Sequence, residues 1–158
     1  MNRYEDCNES LVETFIQVME ERFPHLVNLN FKLVFDTKKR VKQGKICLAS
    51  VELASPKIRY FSIDEKALEG YDYVMFVDAK AWELASDKDK KRLISHELRH
   101  VFIDEKGALK IIDHDINDFV AEVKLNEDDP EWGRNLAMLT EAVYSQEKDD
   151  KKGMNFGG

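Results

Sequence analysis

A chain of 158 residues, 43% hydrophobic and 35% charged, is long enough to bury one apolar core beneath a heavily charged surface and short for two independent domains. A net charge of −7 and a sequence pI near 5.2 repel a polyphosphate backbone at long range, which weighs against nucleic acid as the main ligand. No run approaches the ~20 consecutive apolar residues of a membrane span, MNRYEDCNES lacks the basic start and apolar core of a signal peptide, and Cys7 and Cys47 fit no paired metal or redox spacing, so a cytoplasmic protein with reduced thiols and no membrane partner is expected.

From Ser10 onward, Leu11, Phe15, Val18 and Met19 recur at three- and four-residue steps, which predicts a helix over about 10–22 closed by Pro24. In LNFKLVF the alternation of Leu29, Phe31, Leu33 and Phe35 predicts a strand with one buried face. ICLASVEL predicts a second strand, expected to pair with the first as a hairpin. Between them KKRVKQGK, residues 38–45, carries five basic side chains and reads as a solvated hairpin tip, with a nucleic-acid anchor as the disfavoured alternative. After Pro56, KIRYFS fits either a short strand or an extended connection. YVMFVDA, residues 73–79, predicts a third strand, and KAWELAS a helical turn after it.

Ser86 has N-cap chemistry, and Asp87 and Asp89 put negative charge in a first helical turn, so the next helix is expected from about 87 to 103. Gly107 marks its end, and a loop leads to DHDINDFVAEVKL, where Ile116, Phe119, Val120 and Val123 form another helical stripe. Asp129 and Pro130 then start a last helix over about 130–146, with Trp132, Leu136, Leu139 and Val143 at helical spacing. The domain is therefore expected to span 1–146. EKDDKKGMNFGG, residues 147–158, has too little apolar surface to pack and reads as a disordered charged tail.

The chemistry is concentrated in LISHELRHVF, residues 93–102. Side chains four apart on a helix lie one turn above each other, so His96 and His100 can aim two imidazoles at one point. Zinc takes such nitrogen donors, three protein ligands and a water making a catalytic site, and in His-Glu-x-x-His the Glu97 carboxylate can reach that water without ligating the metal. The metal lowers the water's pKa, and Glu97 takes the proton as general base during attack on a carbonyl. For the third ligand, His114 is favoured because three of the four histidines fall within nineteen residues; Glu122, about two turns further on, is the rival. Asp113, Asp115 and Asp118 are read as acceptors that orient an imidazole. Arg99 is expected to pair outward with one of those aspartates, an oxyanion role being the alternative. Tyr60, Tyr71 and Tyr73 are candidate transition-state stabilisers, and His25 is read as a packed or solvent-facing residue.

The run from LISHELRHVF through HDINDF resembles the zincin metallopeptidases, and its third-histidine spacing looks most like the SprT-like group and the phage metallopeptidases. His96, Glu97, His100, His114 and Phe119 occupy the matching roles, and VMFVDAKAWELASDKDKKRLIS is similar to the strand, tryptophan-bearing turn and helix start that lead into the motif in the phage group. The resemblance covers about residues 73–120. It implies a small α+β, zincin-like (minigluzincin-type) domain with an N-terminal helix, a three- or four-stranded sheet, a helix bearing the motif, and C-terminal helices. It further implies that an edge strand, here 73–79, lies above the metal cleft and pairs with an extended substrate. The chain departs from many SprT-like proteins in having no cysteine beyond Cys47, hence no zinc ribbon, and its acidic balance does not favour their DNA-linked substrates.

Three readings follow. The leading one is a zinc-dependent metallopeptidase acting on a protein or peptide, with His96, His100 and His114 as ligands and Glu97 as base. The second keeps Zn2+ but makes the protein an interaction or regulatory module with little turnover, which leaves Glu97 without a task. The third is a nucleic-acid-associated factor anchored by KKRVKQGK.

Overall fold

The structure, a computed structural model, describes residues 2–63, 68–112 and 122–156, with side chains up to residue 152. A short strand β1 (Tyr4–Asp6), exposed along its length and too brief to alternate visibly, precedes helix α1 (Glu9–Arg22). Asn8 caps α1 by accepting the Leu11 amide at 2.9 Å, and the helix buries Leu11, Val18 and Met19 on the predicted stripe. A single 3-10 turn, Pro24–Leu26, then leads to β2 (Phe31–Asp36).

The basic segment forms a hairpin of its own from β3 (Val41–Lys42) and β4 (Lys45–Ile46). It is followed by β5 (Ala49–Leu53), α2 (Pro56–Phe61) and β6 (Tyr73–Asp78). The residues left open between strand and extended connection are thus helical: Ser55 accepts the Ile58 amide, and Pro56 takes the first turn where its missing N–H has no partner to lose.

The hairpin expected between β2 and β5 does not form, because β6 lies between them. It runs parallel to β2, with Phe31 opposite Tyr73, and antiparallel to β5, with Ala49 opposite Val77. The sheet order is β1-β2-β6-β5. Tyr73, Met75 and Val77 have no exposed surface, and a nearly continuous apolar strand of this kind is stable only between two neighbours. β5, with Val51 buried and Glu52 and Leu53 exposed, suits the edge. The edge position that the resemblance implied for 73–79 therefore belongs to β5.

Asp78 caps α3 (Ala79–Leu84) through the Ala81 amide, and Ser86 caps α4 (Asp87–Leu98) through the Asp89 amide. α4 stops five residues short of the expected end. Instead of helix and loop, the chain makes a hairpin of β7 (Val101–Ile103) and β8 (Leu109–Ile111). The β-branched and aromatic run Val101-Phe102-Ile103 favours extension. Asp104 accepts the amides of Lys106 at 2.9 Å and Ala108 at 2.8 Å, and Gly107, at φ +82°, supplies the left-handed residue that closes the turn. Tyr73 fastens the hairpin to the sheet, its hydroxyl donating to the carbonyls of Lys110 at 2.9 Å and Phe102 at 3.3 Å.

Residues 122–125 are helical, and α5 (Trp132–Phe156) begins two residues later than expected and continues through the segment read as a disordered tail. Good helix formers and polar pairing account for the extension, for Gln146 donates to Asp150 one turn on and Glu147 pairs with Lys80 of α3 at 3.2 Å. One core cluster joins Leu11 and Val18 of α1, Leu33 and Phe35 of β2, Tyr73 and Met75 of β6, Trp82 of α3, and Leu93, Ile94 and Leu98 of α4. The architecture is α+β. Among the described residues no helix is long and apolar enough to cross a membrane.

Candidate metal centre

The burial of Leu93, Ile94 and Leu98 sets the rotation of α4, and that rotation brings His96 and Glu97 to the cleft side of its last turn. His100 lies just past the C-terminal cap Arg99, which keeps helical angles (φ −64°, ψ −22°), and its amide still donates to the Glu97 carbonyl at 3.1 Å. The one-turn offset of His96 and His100 thus survives although the helix has ended. Their ring centroids are 5.6 Å apart with the planes at 77°, and the candidate ligand atoms of His96, Glu97 and His100 all lie within 4.8 Å of one another.

Ending the helix here has a chemical consequence. The backbone of His100, released from the helical ladder, pairs with the chain leaving β8: the Ile112 amide donates to the His100 carbonyl at 2.8 Å. The ring does the same in reverse. His100 Nδ1 lies 2.7 Å from the Ile112 carbonyl, which can only accept, so Nδ1 carries a proton and Nε2 is the ring atom left to ligate a metal.

Glu97 is only 7% exposed, and burial pushes its carboxyl up to about 8, with the positive charge of Lys42 acting in the opposite direction. A cation beside it acts in the same sense as Lys42 and favours the carboxylate. Lys42 and Lys45 of the basic hairpin, Cys47, and Trp132 and Gly133 at the start of α5 line the cleft with His96 and Glu97. The Cys47 thiol donates to the Ala49 carbonyl, and burial followed by the charge of Glu97 raises its pKa, so it is not a ready nucleophile, and it does not belong to the close donor group.

Glu122 is 5% exposed and does not belong to the close donor group. Its Oε1 accepts from Ser95 Oγ at 2.8 Å and from Arg99 Nε at 2.7 Å, while its buried Oε2 has no hydrogen-bond partner among the described residues. The Arg99 guanidinium also sits 4.9 Å from the Phe23 ring centroid. Arg99 pairs with Glu122 and so ties the end of α4 to the helical residues 122–125; the aspartates it was expected to pair with lie outside the described residues. His114, Asp113, Asp115, Asp118 and Phe119 lie outside the described residues.

Of the candidate tyrosines, Tyr73 holds the β7-β8 hairpin, Tyr60 is 70% exposed on α2, and Tyr71 lies beside Lys32. None lines the clefts that contain His96. His25 is solvent-facing next to Phe23, as read from the sequence. Sequence reasoning missed Lys42, Trp132 and Gly133. They lie more than thirty residues from His96 in the chain, and only the fold brings them to it.

A family model described as Putative phage metallopeptidase matches residues 3–144, well beyond the 73–120 that carry the motif resemblance. No curated protein matches significantly, and no solved structure does.

Proposed function

Because the chain belongs to the phage metallopeptidase family, we propose that it is a zinc-dependent peptidase of zincin type, with His96, His100 and His114 holding the metal and Glu97 as general base. The observation that carries this reading is the convergence of two imidazoles and one buried carboxylate within 4.8 Å at the foot of an open cleft. Two neutral imidazole nitrogens with a nearby carboxylate are donors that zinc takes readily, and the Ile112 carbonyl presets one of the rings for it. Zinc, when bound, supplies Lewis-acid polarisation and a lowered pKa for water.

The chain's own residues do the rest. Glu97 accepts a proton from the attacking water and returns it to the leaving amide nitrogen. Its burial raises its affinity for that proton. Among the described residues β5 has a strand partner on one side only, and its first residue, Ala49, also lines the cleft, so an extended peptide can add to the sheet with its backbone beside Glu97. A purely structural zinc site has no use for a buried base beside its ligands, which sets the low-turnover reading behind this one. Cys7 and Cys47 are both free, in keeping with a reducing, cytoplasmic setting.

The test is the metal content of the purified protein beside His96→Ala and His114→Ala, with circular dichroism to verify folding. Near one zinc per wild-type chain, lost from both folded variants, supports the three-histidine site. A wild type that takes up no zinc when it is offered refutes it.

A further inference from the structure

The basic run at 38–45 is a sequence feature that the proposed chemistry leaves unused. In the fold it becomes a two-residue hairpin: Gln43 and Gly44 both have positive φ, 53° and 75°, the geometry of a type I′ turn. That turn fixes the register so that Lys42 stands directly opposite Lys45. Like charges at facing positions of an antiparallel pair repel, and a local rule broken in this way points to a use for the charge.

Two neighbouring basic residues are engaged elsewhere. Lys39 pairs with Glu141 of α5, and Arg40 is held by Asp36, Ser50 and the face of Phe76. Lys42 and Lys45 are exposed, join no ion pair among the described residues, and both line the cleft that contains His96 and Glu97. They form a local positive mouth on a chain of net charge −7.

The cleft also continues. Past Lys45, Ile46, Leu48 and Gly133, which belong to both stretches, a mainly apolar groove runs between the β3-β4 hairpin and α5, lined by Val41, Ala137 and Met138 among others. Val41 is 55% and Met138 63% exposed, a large apolar surface left uncovered beside a catalytic centre. From these features, and resting on the peptidase reading, we infer that Lys42 and Lys45 are specificity-determining residues that select an acidic peptide. The substrate places an Asp or Glu side chain against the paired lysines, and an adjacent bulky apolar side chain in the groove.

The experiment uses the full-length zinc-loaded protein and three matched peptides that keep one leucine and vary its neighbour among glutamate, alanine and lysine. Turnover is read by fluorescence dequenching and binding by anisotropy, for wild type and the double variant Lys42→Glu/Lys45→Glu, whose folding is verified by circular dichroism. The glutamate peptide is expected to exceed the lysine peptide by about tenfold in kcat/KM or affinity, and the double variant is expected to reverse that ratio when each peptide is referred to the alanine peptide cleaved or bound by the same protein. Met138→Asn, which adds no charge, is expected to weaken all three alike. Cleavage of the three peptides with no ranking overturns the acidic selectivity and leaves the peptidase reading standing. Preferential binding of the glutamate peptide without cleavage does the opposite. Equal affinity for all three without cleavage refutes both. Tighter binding of a single-stranded DNA oligonucleotide than of the glutamate peptide, lost in the double variant, would replace acidic peptide by phosphate polymer and overturn the inference.

Discussion

His100 and Ile112 hold each other twice, ring Nδ1 to carbonyl at 2.7 Å and amide to carbonyl at 2.8 Å, so the orientation of a metal-ligand candidate depends on a hairpin that contains no ligand itself. Tyr73, buried in the central strand, anchors that hairpin through Lys110 and Phe102. Tyr73→Phe is expected to cost about 0.5–1.5 kcal/mol in urea unfolding, the net contribution of an ordinary hydrogen bond. It should also weaken zinc binding by up to about tenfold, since the ring is oriented less firmly. Unchanged zinc affinity in the destabilised variant would show that the hairpin does not position His100.

The turn of the same hairpin depends on acid. Hydrogen bonds from the Ala108 and Lys106 amides, with Lys110 nearby, hold the Asp104 carboxyl below its ordinary value. A carboxyl lowered on folding stabilises the folded form fully above the unfolded value of 3.8, and that contribution is lost as pH falls through the lower folded value. The amide shifts of Lys106 and Ala108, followed by NMR, should titrate below pH 3.8 in the wild type and stay flat in Asp104→Asn. A midpoint above 3.8 would contradict the assignment.

How much of this was legible in the chain differs from element to element. α1, the cap at Ser86 and the helical turn after β6 follow from local spacing, and the structure places them as read, whereas of the His-Glu-Leu-Arg-His run only His96, Glu97 and Leu98 lie in α4 and His100 falls just past its end. Pairing was not legible. LNFKLVF and ICLASVEL are neighbours in sequence, and only the need of YVMFVD for cover on two sides reveals that β6 lies between them. The end of α4 was missed because Val101, Phe102 and Ile103 continue an apolar helical pattern as readily as they form a strand, and Tyr73 and Asp104, distant or across a turn, decide the matter. The solvated hairpin tip read at 38–45 is there, but nothing local to those residues reports that Lys42 shares a cleft with Glu97.

Glu122 separates two roles that sequence alone could not. The contacts of its Oε1 with Ser95 and Arg99 tie α4 to the helical residues 122–125. Glu122→Gln is expected to keep zinc at wild-type stoichiometry and lose roughly 1.5–3 kcal/mol of stability, the magnitude for weakening a charge-assisted hydrogen bond. Glu122→Ala, which removes the acceptor of both Ser95 and Arg99, should cost more than Glu122→Gln. Zinc lost from a folded Glu122→Gln protein would make Glu122 a ligand in place of His114.

Tyr144 of α5 donates to Asp78 at 2.6 Å, fastening the last helix to the end of β6. Burial raises the Asp78 carboxyl, and the Tyr144 bond opposes that shift. Tyr144→Phe is therefore expected to destabilise by about 1.5–3 kcal/mol at neutral pH. Because Asp78 is raised on folding, its ionised form is the costly one, and the deficit should shrink as pH falls through the folded value. A deficit in urea unfolding that is constant from pH 7 to pH 4 would count against this pairing.

The central claim is tested most directly by the rate at which zinc-loaded Glu97→Gln cleaves a peptide that the wild type cleaves. Glutamine preserves the shape and burial of the side chain but cannot take the proton. The account predicts full zinc content and a rate lower by about 10²–10⁴-fold, the range ascribed to general acid–base catalysis. Cleavage by a zinc-replete Glu97→Gln protein at the wild-type rate would contradict it.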